Sequence, residues 1–118
     1  VEDYKQLRVW QLSIELAKLV YAIADLFPEK EKYGLRSQLT RAVVSVASNI
    51  AEGSRRQSTK DLLNFLSISL GSLAEVETQL IIAIEVGLIP HDACNESFEK
   101  INHIARSIVK LKQSLTKQ

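Results

Sequence analysis

The chain has 118 residues, 46% hydrophobic and 25% charged, with a formal net charge of +1; that size fits a single domain over residues 1–118, and the balance excludes disorder. Four Gly and two Pro leave too few turns for a sandwich or barrel of short strands. One Cys excludes an internal disulfide and suits a reducing cytoplasm, and the 13-residue run free of charge, Leu62 to Ala74, is too short to span a membrane.

The acidic start Val1-Glu2-Asp3-Tyr4 lacks the basic and apolar regions of a signal peptide. Four apolar-rich segments then follow. The first runs from about Tyr4 to Phe27 and stops at Phe27-Pro28. The second, from about Leu35 to Glu52, ends at Gly53, read as a left-handed helix terminator. The third, from about Thr59 to Val86, starts with Ser58 as N-cap in an S-x-x-D signal with Asp61 and stops at Gly87. The fourth starts near Pro90-His91, with Pro90 suited to a first turn, and reaches about Leu115. The period is helical: Cys94, Phe98, Ile101, Ala105, Ile108 and Leu115 recur at spacings of three, four and seven. Segment one shows Leu7, Trp10, Ile14, Ala17, Tyr21 and Ala24 on one stripe, with Leu12, Leu16, Leu19, Ile23 and Leu26 beside it. Short connections predict an all-α, antiparallel up-down-up-down four-helix bundle. If Pro28 only kinks one long helix, the alternative is three helices.

Helices one and three carry wider apolar arcs than a monomeric bundle needs, which points to a subunit interface. In helix three the arc includes Leu66, Leu73, Val76, Leu80 and Ile81; Ile68 and Ile82 fall outside it, beside Gly71 and Glu75. Glu77 falls inside it. Arg36 falls on the apolar arc of helix two. With the connection centred between Arg56 and Gln57, Arg36 comes level with Glu77. The expectation is a partly buried ion pair, with Arg41 as the alternative partner and Glu75 nearby. Ser67, Ser69, Gly71 and Ser72 read as small residues that let helices approach closely.

No phosphate-binding glycine loop, H-E-x-x-H or C-x-x-C motif is present. His91 and Cys94 have metal-compatible spacing but supply two ligands where a closed zinc site needs four, so Cys94 reads as core and no metal or cofactor is expected. Serines and threonines lack an evident His partner, and His103 reads as solvated.

Charge is segregated. Residues 61–99 hold seven acids and no Lys or Arg, whereas residues 100–118 hold five bases and no acid. In an antiparallel bundle the stretches 1–10, 48–66 and 104–118 meet; they carry 0, +1 and +4, a basic end of +5 against −4 for the remainder. Its bases are Lys5, Arg8, Arg55, Arg56, Lys60, Arg106, Lys110, Lys112 and Lys117. Helix dipoles explain part of this, with helix four as the direct case. An anionic partner, RNA or DNA, explains it functionally. Few aromatics weigh against a dedicated single-strand reader.

The block Tyr33-Gly34-Leu35-Arg36-Ser37-Gln38-Leu39-Thr40-Arg41-Ala42, continuing to Ser48-Asn49-Ile50-Ala51-Glu52-Gly53, resembles the bacterial four-helix-bundle family of 23S rRNA intervening-sequence proteins. Val9-Trp10, Phe27-Pro28 and the run from Leu70-Gly71-Ser72 through Glu75, Glu77 and Gln79 to Leu80 share the likeness. Helix four matches only in general character. The resemblance implies a small cytoplasmic bacterial protein that assembles as a homopentamer, without established enzymatic activity or a defined molecular function. That family is in turn similar to the accessory protein of diversity-generating retroelements, which binds nucleic acid and a reverse transcriptase. Thr40 departs from many members, which have a second basic residue there.

Three readings follow. The first is a non-catalytic oligomeric module that binds RNA or DNA, with Arg55, Arg56, Lys60, Arg106, Lys110, Lys112 and Lys117 as contacts and a protein partner besides; no membrane is involved. The second is a protein-binding or structural assembly without nucleic acid. The third is an enzyme with Glu75, Glu77 and Arg41 at a subunit junction.

Overall fold

Local chemistry sets the helix limits. In the computed structural model, which describes residues 3–117, the Asp3 carboxylate accepts from the Lys5 N–H at 3.0 Å and starts a 3-10 turn, Tyr4–Gln6. Val1 and Glu2 of the acidic start lie outside the described residues. Helix α1 is Arg8–Ala24. After Phe27-Pro28 a second 3-10 turn, Glu29–Glu31, leads to α2, Leu35–Ser54, so the chain breaks rather than kinks here. The Glu31 carboxylate caps α2 by accepting from the Leu35 N–H at 3.1 Å. Helix α3, Thr59–Glu85, opens on Ser58, whose hydroxyl accepts from the Asp61 N–H at 3.1 Å. It ends at Gly87, φ +79°, where the Leu88 N–H donates to the Ala83 carbonyl and the Gly87 N–H to Ile84; that pair of bonds is a Schellman end. Helix four starts later than Pro90 implies. Pro90 stays extended and leads into a 3-10 turn, His91–Cys94, and α4 is Asn95–Thr116.

Each helix packs on its sequence neighbours and α4 returns to α1, giving a four-helix bundle of 47 × 23 × 20 Å. The core is built from Leu12, Leu16 and Val20 of α1, Leu39, Val43, Val46 and Ile50 of α2, Leu66, Leu73, Val76 and Leu80 of α3, and Ile101, Ile104 and Ile108 of α4. Burying each such side chain contributes about 1.5–3 kcal/mol. Cys94 is buried among them, which pushes its thiol pKa up. In α1 the inward face is Val9, Leu12, Ser13, Leu16, Val20 and Ile23. The stripe through Trp10, Ile14 and Ala17 is half-buried, Tyr21 is exposed and only Ala24 is buried, because contacts with both α2 and α4 turn Leu12, Leu16 and Ile23 of the other stripe inward. Leu19 is half-buried and Leu26, past the helix end, is exposed.

Helix α3 leaves apolar surface uncovered. Ile68 and Ile82 are exposed, as their positions on the wheel predict. Ile81 joins them at 46% exposure, contrary to its expected place in the core. By length and composition α3 could cross a membrane, which corrects the argument from the uncharged run, since one or two acids do not remove that capacity. Here its Leu66, Leu73, Val76, Leu80 and Ala83 pack in the bundle, and Glu75 is exposed on the outside.

The α2–α3 contact is the most extensive. Gly53 lies inside α2, without positive φ, so it is not a helix terminator. A Cβ there would sit 2.6 Å from Phe65 Cβ and 3.2 Å from Leu62 Cδ1. The glycine is needed for close approach of the helices. Below it the buried Ser69 hydroxyl donates to the Val46 carbonyl at 2.9 Å, and Ser45 and Ser72 share a 2.9 Å hydrogen bond. Gly71 does not take part: its Cβ position is open.

Candidate nucleic-acid interface

The paired serines fix the register between α2 and α3. Ser45 opposite Ser72, and Ser69 against Val46, centre the connection near Ser58, one to two residues later than expected. Arg36 therefore does not come level with Glu77. Its guanidinium reaches Asp25, just past α1, at 2.7 Å, while Glu77 is half-buried and has no ion pair among the described residues. The same register brings Arg41 and Glu75 to one groove of about 290 Å³ between α2 and α3, with Gln38, Ser45, Ser72 and Gln79. Among the described residues no ion pair joins Arg41 to Glu75, and the buried Gln79 Oε1 has no hydrogen-bond partner. Glu77 does not line this groove. The Arg41–Glu75–Glu77 constellation is thus divided between two faces.

The basic residues fare differently. Arg55, Arg56 and Lys60 are exposed around the α2–α3 connection. Arg56 is engaged: it pairs with Glu52 at 3.2 Å and lies 4.9 Å from the Phe65 ring centroid. Lys112 is half-buried and donates to the Ser67 hydroxyl at 2.6 Å, tying the end of α4 to the first half of α3. Arg106, Lys110 and Lys117 follow spacings of four and seven, so they form one exposed stripe down α4. On the other side, Lys100 donates to Glu15 at 3.1 Å and ties α4 to α1. That hydrogen bond, more than the charge of Lys100 or Arg8, holds the Glu15 pKa below its ordinary value. Arg8 is also held by Glu15, at 3.5 Å. Among the described residues Arg55, Lys60, Arg106, Lys110 and Lys117 have no ion-pair partner.

Helix dipoles do not account for the whole set. Arg55 and Lys117 stand at C-caps, but neither α2 nor α4 has a base in its last turn. The dipole effect falls off within that turn. Arg106 and Lys110 lie farther back, where it offers them little.

Sequence reasoning passed over the aromatic side of this end. The N-terminal 3-10 turn packs on α2 and sets Tyr4 beside Trp10, ring centroids 5.5 Å apart at 66°. Arg55 Cζ lies 5.4 Å from the Tyr4 centroid and Lys5 Nζ 5.9 Å. An open cleft of about 610 Å³ is lined by Tyr4, Ala51, Glu52 and Arg55. The only sequence signal was an aromatic-basic pair, Tyr4-Lys5, just ahead of Trp10.

The model of the family described as 23S rRNA-intervening sequence protein matches residues 5–110. Among solved structures, the chain is similar to a protein of unknown function from the S23 ribosomal protein family of Bacteroides thetaiotaomicron. The TM-score is 0.81 at 23% identity, over 88% of this chain and 97% of that one. No curated protein matches the chain. At that identity the structural likeness speaks for the fold.

Proposed function

The chain belongs to the 23S rRNA-intervening sequence protein family, and from that premise we propose that it is a non-catalytic, oligomeric module that binds RNA or DNA through its basic end. The observation that carries the reading is that five of the candidate contacts, Arg55, Lys60, Arg106, Lys110 and Lys117, are exposed without ion-pair partners among the described residues, with Lys5 alike beside them, whereas elsewhere only Lys18, Lys30 and Arg41 are so. Helix dipoles leave Arg106 and Lys110 unexplained, since the last-turn effect reaches neither, so a purely structural role would keep them for solubility alone. Arg56 and Lys112 belong to the scaffold of this end, because both are spent on internal contacts. The site lies in the cytoplasm on this reading, where the unpaired, buried Cys94 needs no oxidant.

Phosphate contacts displace counterions, so binding must weaken steeply with salt. Five contacts to a single strand imply a log–log slope of about −3.5. Retention of ribosomal RNA fragments across a salt series measures it. Replacing Arg106 and Lys110 together with Gln should lower the slope by about 1.4 and strip most of the retention. A flat salt response, or full retention by the double variant, refutes the proposal.

A second reading, an assembly module without nucleic acid, is favoured by the exposed row of Ile68 and Ile82 on α3 and Val86 just past its end, where Glu75 is the interrupting charge. The two readings share the homo-oligomer, five subunits on the family resemblance, and a protein partner fits either. Light scattering should return five times the protomer mass, and Ile82→Glu should reduce it. A protomer mass for the wild type removes the oligomer from both.

A further inference from the structure

We propose that the cleft beside Tyr4 takes an unpaired nucleobase, stacked on the platform formed by the Tyr4 ring and the Arg55 guanidinium. This rests on the basic end binding nucleic acid. The cleft is not built as a phosphate site. A phosphate site collects donors; this one combines a π face, a planar cation, the methyl of Ala51 and the Glu52 carboxylate. That carboxylate repels phosphate but accepts N–H groups from a base edge. Arg56 holds it at 3.2 Å. The neighbouring Lys5 and Arg55 supply positive charge where the strand would continue.

The platform is held in place before any ligand arrives. Asp3 caps the N-terminal turn through the Lys5 N–H at 3.0 Å, the Gln11 side-chain amide donates to the Lys5 carbonyl at 3.0 Å, and Trp10 braces the Tyr4 ring edge to face. Stacking on such a surface tolerates any base and needs an unpaired one, so the partner is single-stranded nucleic acid rather than duplex.

The test compares three labelled strands of equal length with the full chain at low salt: oligoriboadenylate, oligodeoxyadenylate and an abasic sugar-phosphate strand. Anisotropy gives affinity. Quenching of the chain's single tryptophan, Trp10, reports a base at the platform. Both adenylates should bind at least about fivefold tighter than the abasic strand and quench Trp10; a preference for the ribo strand alone would assign RNA. Tyr4→Leu should erase the preference by bringing adenylate affinity down to that of the abasic strand, while Tyr4→Phe keeps it. Arg55→Lys, which retains charge but not the plane, should lower it without touching the Tyr4 turn. Equal binding of adenylate and abasic strands by the wild type, or an intact preference in both Tyr4→Leu and Arg55→Lys, overturns the base platform while the basic end survives. Failure to bind any of the three strands overturns the basic end itself.

Discussion

Replacing either of two helical glycines by alanine should move stability in opposite directions. In a helix interior, Gly→Ala is worth about 0.8–1.0 kcal/mol in favour of alanine when nothing else changes. At Gly71 nothing lies within 4 Å of the new methyl, so Gly71→Ala should realise most of that gain. At Gly53 the methyl would sit 2.6 Å from Phe65 Cβ, an atom fixed to the α3 backbone. The helices must part by nearly 1 Å to restore an ordinary contact. Overpacking of this kind costs about 1–3 kcal/mol, and here it strikes the contact that also carries the Ser69 and Ser45–Ser72 hydrogen bonds. Those shared hydrogen bonds put the cost in the upper half of that range, about 2–3 kcal/mol, so Gly53→Ala should lose about 1–2 kcal/mol net of the propensity gain. Urea unfolding followed by far-ultraviolet circular dichroism reads both variants: the midpoint should fall for Gly53→Ala and rise for Gly71→Ala, at unchanged slope. A Gly53→Ala protein as stable as the wild type would refute the close-approach argument. A Gly71→Ala protein that loses stability would mean that another chain covers this face.

Ser69→Ala removes the cross-helix hydrogen bond to Val46 and should cost about 0.5–1.5 kcal/mol, read by the same urea midpoint; Ser69→Val adds bulk at a buried site and should cost more. The Glu15 carboxylate should titrate below the usual glutamate range by NMR and return toward it in Lys100→Met, since the Lys100 hydrogen bond is the main cause of the shift. A lowered folded-state pKa means that the stabilisation is complete above the ordinary glutamate value and is lost as pH falls through the folded value. Lys100→Met should therefore flatten the acid limb by lowering stability at neutral pH, modestly for so exposed a pair, while leaving it unchanged at pH values below the folded-state pKa. Cys94, buried and with a raised pKa, should be alkylated by iodoacetamide only at the rate at which the bundle opens, and quickly in urea.

Features governed by near neighbours were legible in the sequence. Ser58 caps α3 because Asp61 is three residues away, and Gly87 ends it because φ +79° is a local demand. The helical period gave four helices and most of the core of α4. Gly53 was misread because its constraint comes from Phe65, across a turn, and no local pattern separates a terminator from a packing glycine. Arg36 was misread because the register slipped past the assumed centre of the connection and Asp25, just past the end of α1, was the nearer carboxylate. The basic end followed from topology and charge alone. The Tyr4 platform did not, since a 3-10 turn ahead of α1 had to fold back on α2 before those rings and Arg55 could meet.

The α2–α3 hairpin has a consequence for how the chain reaches its native state. Its connection is only a few residues long, so joining its two arms costs little loop entropy. Its tightest contacts, Gly53 with Phe65 and Val46 with Ser69, are near one another along the chain. Such pairings form fast. During synthesis this hairpin can zip from the turn outward while α4 is still being made, leaving α1 and α4 to dock onto a surface already in place.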